Sequence, residues 1–194
     1  IEEMARAAKT RGYAYIAITD HGPGLGVAGG MRVEELEKQW HEIDAVNRRV
    51  KGIHVLKGIE VDIRPDGTLD LPDEVLGRLD VVVVAVHSRM GMDRVRMTDR
   101  IIKGISRAHV HILAHPTGRL INRREPYAIE MDAVLEAAAS LHVAVEINAQ
   151  PERLDLSDVH AYRARELGVR LAIDTDSHSV GQLDFMRYGV DQAR

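Results

Sequence analysis

The 194-residue chain predicts an α/β fold in which parallel strands alternate with helices and curl into a barrel. Apolar periodicity switches between helical and strand-like stretches from one end to the other, and no linker interrupts it. The length fits one domain able to bury most of a core. Six residues of metal-ligand type, His21, Glu60, His87, His115, Asp176 and His178, each stand at the C-terminal end of an apolar, β-branched run. In a parallel barrel the strand C-termini converge on one mouth, so residues far apart in sequence meet there.

The elements follow in order. A helix is expected near 1–10. The run YIAIT gives a strand near 15–19 that delivers Asp20 and His21. The stretch GPGLGVAGG at 22–30 is too irregular for a phosphate-binding fingerprint and reads as a mobile loop at the mouth. Helix 32–50 leads to strand 54–63, which carries Glu60 at the end of HVLKGI. Strand 81–87 (VVVVAV before His87), helix 94–107, strand 110–114 (VHILA before His115) and helix 129–141 continue the alternation. Strand 144–148, helix 158–167 and strand 170–174, with Asp176 and His178 beyond it, complete it. A βα barrel normally begins with a strand, whereas this chain opens on a helix. The stretch from Leu183 to Arg194 is charged and has no helix-stopping signal. Both ends therefore suggest an excised piece of a longer protein.

Composition narrows the chemistry. There is no cysteine, which removes disulfides, Cys-based zinc fingers, iron–sulfur clusters and thiol nucleophiles, so any metal is held by nitrogen and oxygen. A net charge of -4 argues against a strongly basic nucleic-acid module, although local basic clusters are compatible with it. No run approaches the ~20 apolar residues of a membrane span, and IEEMARAAKTRG lacks the apolar segment of a signal peptide, so a cytoplasmic setting is expected by default.

Imidazole and carboxylate donors without thiolate suit zinc, manganese or iron, and a carboxylate such as Glu60 can bridge two ions because it has two oxygens. Any one histidine at a strand end is equally well explained as a polar rim residue. Ligand-type residues at five independent strand ends jointly oppose that reading. His41 lies in a charged helical segment, His54 begins its strand, and His142 and His160 belong to helices or their ends. His109 and His111 have metal-binding spacing, but they enter the strand that His115 leaves and so sit ~13–20 Å from the mouth. Asp176 and His178 have the same spacing at the correct end. Asp20 and Asp174 are candidates to orient ligand histidines, with solvated or strand-capping roles equally open. Arg89, Arg119, Arg123, Arg124 and Arg153 follow strand ends and are candidates to grip phosphate oxygens. Of these, Arg89, Arg119 and Arg153 are carried forward.

The order Thr19-Asp20-His21, Gly58-Ile59-Glu60, Val86-His87-Ser88, Ala114-His115-Pro116 and Thr175-Asp176-Ser177-His178 resembles the PHP family, named for polymerase and histidinol phosphatase. The stretches DGTLDLPDEVLGRLDVVVVAVHS, LAHPTGRLINRREPY and VEINAQPERLDLSD look like the C-terminal domain of bacterial family X DNA polymerases. The resemblance implies a distorted (β/α)7 TIM-like barrel around a trinuclear centre of manganese, zinc or iron. In that scheme Glu60 bridges two metals, His87 and His115 complete one site, His21 and His178 share another, and Asp176 belongs to the third. The family's opening His-x-His pair with a following Asp has no counterpart here, so the first strand is expected immediately before Ile1. Residues 1–194 then form a PHP domain lacking that strand, with a polymerase domain upstream in the same polypeptide. The implied activity is metal-dependent phosphoester hydrolysis at DNA ends: 3'-5' exonuclease, with 3'-phosphatase or abasic-site cleavage as companions. Glu60, Asp176 and His178 are the expected catalytic residues. Two other readings stand beside it, a free-standing small-molecule phosphatase such as one for histidinol phosphate, and a non-catalytic domain that supports a polymerase.

Overall fold

The computed structural model describes residues 1–24 and 30–194. Its sheet has six strands in sequential order, β1 (Tyr15–Ile18), β2 (His54–Asp62), β3 (Val81–Ala85), β4 (Ile112–Leu113), β5 (Ala144–Asn148) and β6 (Leu171–Asp174). Every neighbouring pair is parallel. The crossovers carry helices α1 (Glu2–Thr10), α2 (Val33–Arg49), α3 (Asp73–Leu76), α4 (Arg94–Ile105), α5 (Met131–Leu141) and α6 (Asp158–Glu166). A 3₁₀ segment at Val180–Phe185 and helix α7 (Met186–Ala193) follow β6.

Alternation along the strands sorts the side chains into two layers. Ile59, Val61 and Ile63, Val82, Val84 and Val86, and Val145 and Ile147 pack outward against Met97, Ile101 and Ile105 of α4, Val134 and Leu135 of α5, and Leu36 and Trp40 of α2. The opposite face holds Val83, Ala85 and Ala114 with Val81 and Ile112, a cluster containing no helical residue, and this face lines the barrel interior. Helix α4 approaches β2 closely at Gly104, where an added Cβ would lie 2.7 Å from Ile63 Cδ1. Gly104→Ala is therefore expected to lower stability by about 1–3 kcal/mol through overpacking, exceeding the ~1 kcal/mol of helix propensity it gains. Thermal melting checks this, and an unchanged or higher midpoint would contradict the packing.

The expected strands and helices appear within a few residues of their expected bounds. Strand β4 is shorter than its apolar run, because His109 enters it at φ 66° and His115 leaves it at φ 28°. Its ladder still extends one residue each way, through His111 N to Val82 O and Ala114 N to Val84 O. Helix α7 lies within the charged stretch 183–194, for which the sequence reading gave no element. It docks through Gly189, which has room only for hydrogen against Ile173 and Ala149. The Gly-rich stretch is described only at its two feet, where Met31 N donates to His21 O and Gly24 N to Asp70. Its centre, residues 25–29, lies outside the described residues.

Candidate metal centre

The β1 chain runs on past Ile18 to pair with the end of β2. Glu60 N donates to Asp20 O and Gly22 N to Glu60 O, bringing His21 alongside Glu60. Glu60 faces the interior in step with Val83 of β3. His87 and His115 leave β3 and β4 at the same level. Three residues just past strand ends, Arg89, His115 and Asp176, adopt positive φ without being glycine, a conformation that costs free energy and clusters at functional sites.

Three imidazoles converge on the Glu60 carboxylate. Glu60 Oε1 lies 3.0 Å from His115 Nε2 and 3.1 Å from His87 Nε2, and Oε2 lies 3.6 Å from His21 Nδ1. Glu60 is 8 % exposed. Burial alone would push its carboxyl up, but hydrogen bonds and charge from His115 and His87 outweigh that and hold it far below the usual carboxylate range. Burial likewise opposes charge on His87, yet Asp62 and Glu60 raise it to about 9. One Glu60 oxygen thus faces two imidazoles and the other faces a third, so both oxygens have ligand-type nitrogens beside them. Donor atoms of His21, Glu60 and His87 all lie within 4.8 Å of one another. The Nδ1 atoms of His21, His87 and His115 are buried and have no hydrogen-bond partner. For His21 that nitrogen is the one facing Glu60, whereas His87 and His115 face it through Nε2; a buried carboxylate ringed by three imidazole nitrogens is a donor set that fits a divalent cation.

Asp176 and His178 form a second group outside that cluster. Asp176 Oδ2 accepts from Asn148 Nδ2 at 3.1 Å and lies 3.8 Å from Arg153 Nε. His178 is largely exposed, and its Nδ1 approaches the Asp176 carbonyl at 2.9 Å. Asp174, expected as a candidate to orient a ligand histidine, instead accepts through Oδ1 from Asp176 N at 3.1 Å. Asp20 instead accepts from Gln39 of α2 at 2.5 Å and contacts no ligand histidine through that bond.

The arginines divide by what their guanidinium groups already do. Arg119 donates to the Arg153 and Leu154 carbonyls and braces the β5 loop. Arg124 donates to Gly118 O, and Arg123 pairs with Glu152. Arg153 keeps a buried Nη1 with no partner. Arg89 is exposed and lines a surface hollow with Pro65, Met92 and Arg96, separate from the Glu60 cluster.

Sequence reasoning passed over the inward-facing polar residues that hold the ligands. Asp62, two residues after Glu60 on the same face, accepts from His87 N at 2.9 Å. Glu146 is 3 % exposed and accepts from His115 N. Burial raises the Glu146 carboxyl well above its usual range, and the adjoining Asp174 carboxylate raises it further. Gln150 Nε2 donates to the Thr175 and Asp176 carbonyls. An acid or amide every second residue within an apolar strand, as in Glu60-Val-Asp62 and Glu146-Ile-Asn148, was the available signal.

His109 and His111 lie at the N-terminal side of β4. His111 Nδ1 accepts from Val82 N at 3.1 Å, and His109 packs over Gly77. His109→Ala and His111→Ala are each expected to leave bound metal unchanged, whereas His115→Ala should lose it. Elemental analysis of the folded variants tests this, and metal loss after either of the first two changes would reverse the assignment.

No protein-family profile matches the chain. It is 31% identical over 197 residues to a probable phosphatase of Caldanaerobacter subterraneus subsp. tengcongensis, covering 95% of this chain and 73% of that protein. With the DNA polymerase/3'-5' exonuclease PolX of Bacillus subtilis it shares 46% identity over 194 residues, all of this chain and 34% of the polymerase. The chain belongs to the PHP family. This PHP chain thus spans about a third of the length of the polymerase it matches. Its fold is that of a histidinol phosphate phosphatase from Lactococcus lactis solved with zinc, L-histidinol and phosphate. The TM-score is 0.64 at 15% identity, over 98% of this chain and 86% of that one. Phosphatase relatives make a phosphoesterase domain the coarse reading. No described helix of the PHP chain is long and apolar enough to cross a membrane.

Proposed function

We propose that this chain is the metal-dependent phosphoesterase domain of a family X DNA repair polymerase, hydrolysing DNA ends in the 3'-5' direction, with the polymerase domain upstream in the same polypeptide. The carrying observation is the buried Glu60 carboxylate set among the imidazoles of His21, His87 and His115. The whole-length similarity to a polymerase that is also a 3'-5' exonuclease supports DNA as the substrate.

In this reading Glu60, His87 and His115, with His21 and His178 and with Asp176, would hold the ions of a trinuclear centre of manganese, zinc or iron, and Glu60, having two oxygens, would be shared between two of them. Such ions supply an acidified water, neutralise phosphoryl charge and stabilise the leaving oxygen. Asn148 and Asp174 orient Asp176 through the bonds described above. Arg153, beside Asp176 with a free Nη1, is the best placed of the arginines to meet a substrate phosphate. Arg119, whose guanidinium is engaged with the Arg153 and Leu154 carbonyls, supports Arg153 by holding its loop.

The phosphatase relatives and the histidinol phosphatase fold favour one alternative, a small-molecule phosphatase. Metal-loaded full-length protein assayed on a 3'-recessed duplex and on histidinol phosphate separates the two. Release of 3' nucleotides at a rate well above small-ester hydrolysis supports the exonuclease, and the reverse ratio refutes it. Two or more bound ions per chain would oppose a purely structural domain.

A further inference from the structure

Arg100 of α4 has no part in the site so far described, yet it is the largest fully buried side chain, at 1 % exposure. Burying a guanidinium is costly unless its donors are satisfied. Here Nε donates to Ile63 O at 2.8 Å, Nη2 also reaches that carbonyl, and Nη1 donates to Ser88 O at 2.8 Å. One planar group thus ties the chain just beyond Asp62 to the chain just beyond His87. Arg100 Nη2 also lies 3.9 Å from Asp62 Oδ1.

Asp62 faces the other way onto His87. Its Oδ1 accepts from His87 N at 2.9 Å and lies 3.6 Å from His87 Nδ1, and Oδ2 is 3.3 Å from Ser88 Oγ. Asp62 is itself fixed from behind, its N donating to Asp70 at 3.1 Å. The far nitrogen of the imidazole, Nε2, is the one directed at Glu60. Arg100, Asp62, His87 and Glu60 thus stand in sequence, with charge contacts of 3.9, 3.6 and 3.1 Å between successive side chains and the Asp62 carboxylate bonded to the His87 backbone N. A carboxylate behind a metal-binding imidazole fixes its tautomer and orientation and strengthens it as a donor.

We propose that Asp62, anchored by the buried Arg100 guanidinium, is a positioning residue that fixes the His87 imidazole for divalent-metal binding at Glu60. This rests on the metal-centre reading given above. A purely structural Arg100 would need only the two carbonyls. The carboxylate placed between it and the imidazole assigns it to the site.

The test uses full-length protein and Mn²⁺ as probe. Asp62→Asn keeps the shape and one acceptor oxygen but removes the charge. It should weaken Mn²⁺ binding by about 10- to 100-fold while leaving the melting midpoint of the metal-free protein nearly unchanged, and excess Mn²⁺ should restore hydrolysis. Arg100→Lys, which keeps the charge but loses the fork, should shift Mn²⁺ affinity in the same direction and carries the test if Asp62→Asn fails to fold. Wild-type affinity in the folded variant, with His87→Ala losing the metal, would overturn the proposal and leave the metal centre standing. Retention of metal by His87→Ala would overturn both.

Discussion

Glu60→Gln in the full-length protein is expected to abolish nearly all hydrolysis, by more than about 100-fold, because even residues that merely support metal ligands cost 10–100-fold when changed. Glu60 is contacted by all three of His21, His87 and His115. An amide presents one neutral oxygen and one N–H donor, so it can face only one of two cations favourably. The change is isosteric and lies at the strand's C-terminal end, where residues serve function more than stability, so far-UV circular dichroism should be retained. Metal content should fall together with rate. Exonuclease activity within a few-fold of wild type would remove Glu60 from the chemistry.

What the sequence made legible follows from burial. A strand covered on both faces needs a near-continuous apolar run, so VVVVA at 81–85 and AVEIN at 144–148 stood out, and the polar residues ending such runs marked the mouth. Helix α7 was not legible because its docking contact is a glycine, its N-cap Phe185 makes no side-chain bond, and MRYGVDQA has only a thin apolar stripe. The supporting shell was hidden for a different reason. Glu146, Asn148 and Gln150 act on ligands carried by other strands, and that adjacency exists only once β4, β5 and β6 are side by side. Arg100 is similar. In the sequence it is one of many helical arginines, and only its burial against Ile63 and Ser88 distinguishes it.

The second large effect concerns the space between β1 and β6, the two edges of the sheet. The helical layer passes over this space without a break. Arg11 pairs with Asp184 at 2.7 Å, Tyr13 Oη donates to Leu183 O at 3.2 Å, and Leu183 packs into the cluster formed by Ala5, Ala8 and Ile43. The sheet beneath does not close in the same way. Tyr15, on the interior face, is 64% exposed, Ala17 is exposed, and Ala172 on β6 is only half-buried. Each edge presents unpaired backbone groups that a further strand would satisfy. If the proposed His-x-His strand of the longer polypeptide sits here, its C-terminal end lies between His21 and the Asp176 and His178 pair and joins the two groups of ligands into one centre. Extending the chain at its N-terminus by that strand should therefore raise bound Mn²⁺ per chain and nuclease rate together. It should also raise the melting midpoint by several degrees, since each 1 kcal/mol is worth roughly 2–4 °C in a domain of this size. Metal stoichiometry, rate on a 3'-recessed duplex and thermal melting, compared for the two chains under identical Mn²⁺ concentrations, give three independent readouts. Equal metal content and equal rates would mean that His21, Glu60, His87, His115, Asp176 and His178 suffice by themselves. A higher midpoint with no gain in metal would mean that the strand closes the barrel without contributing ligands.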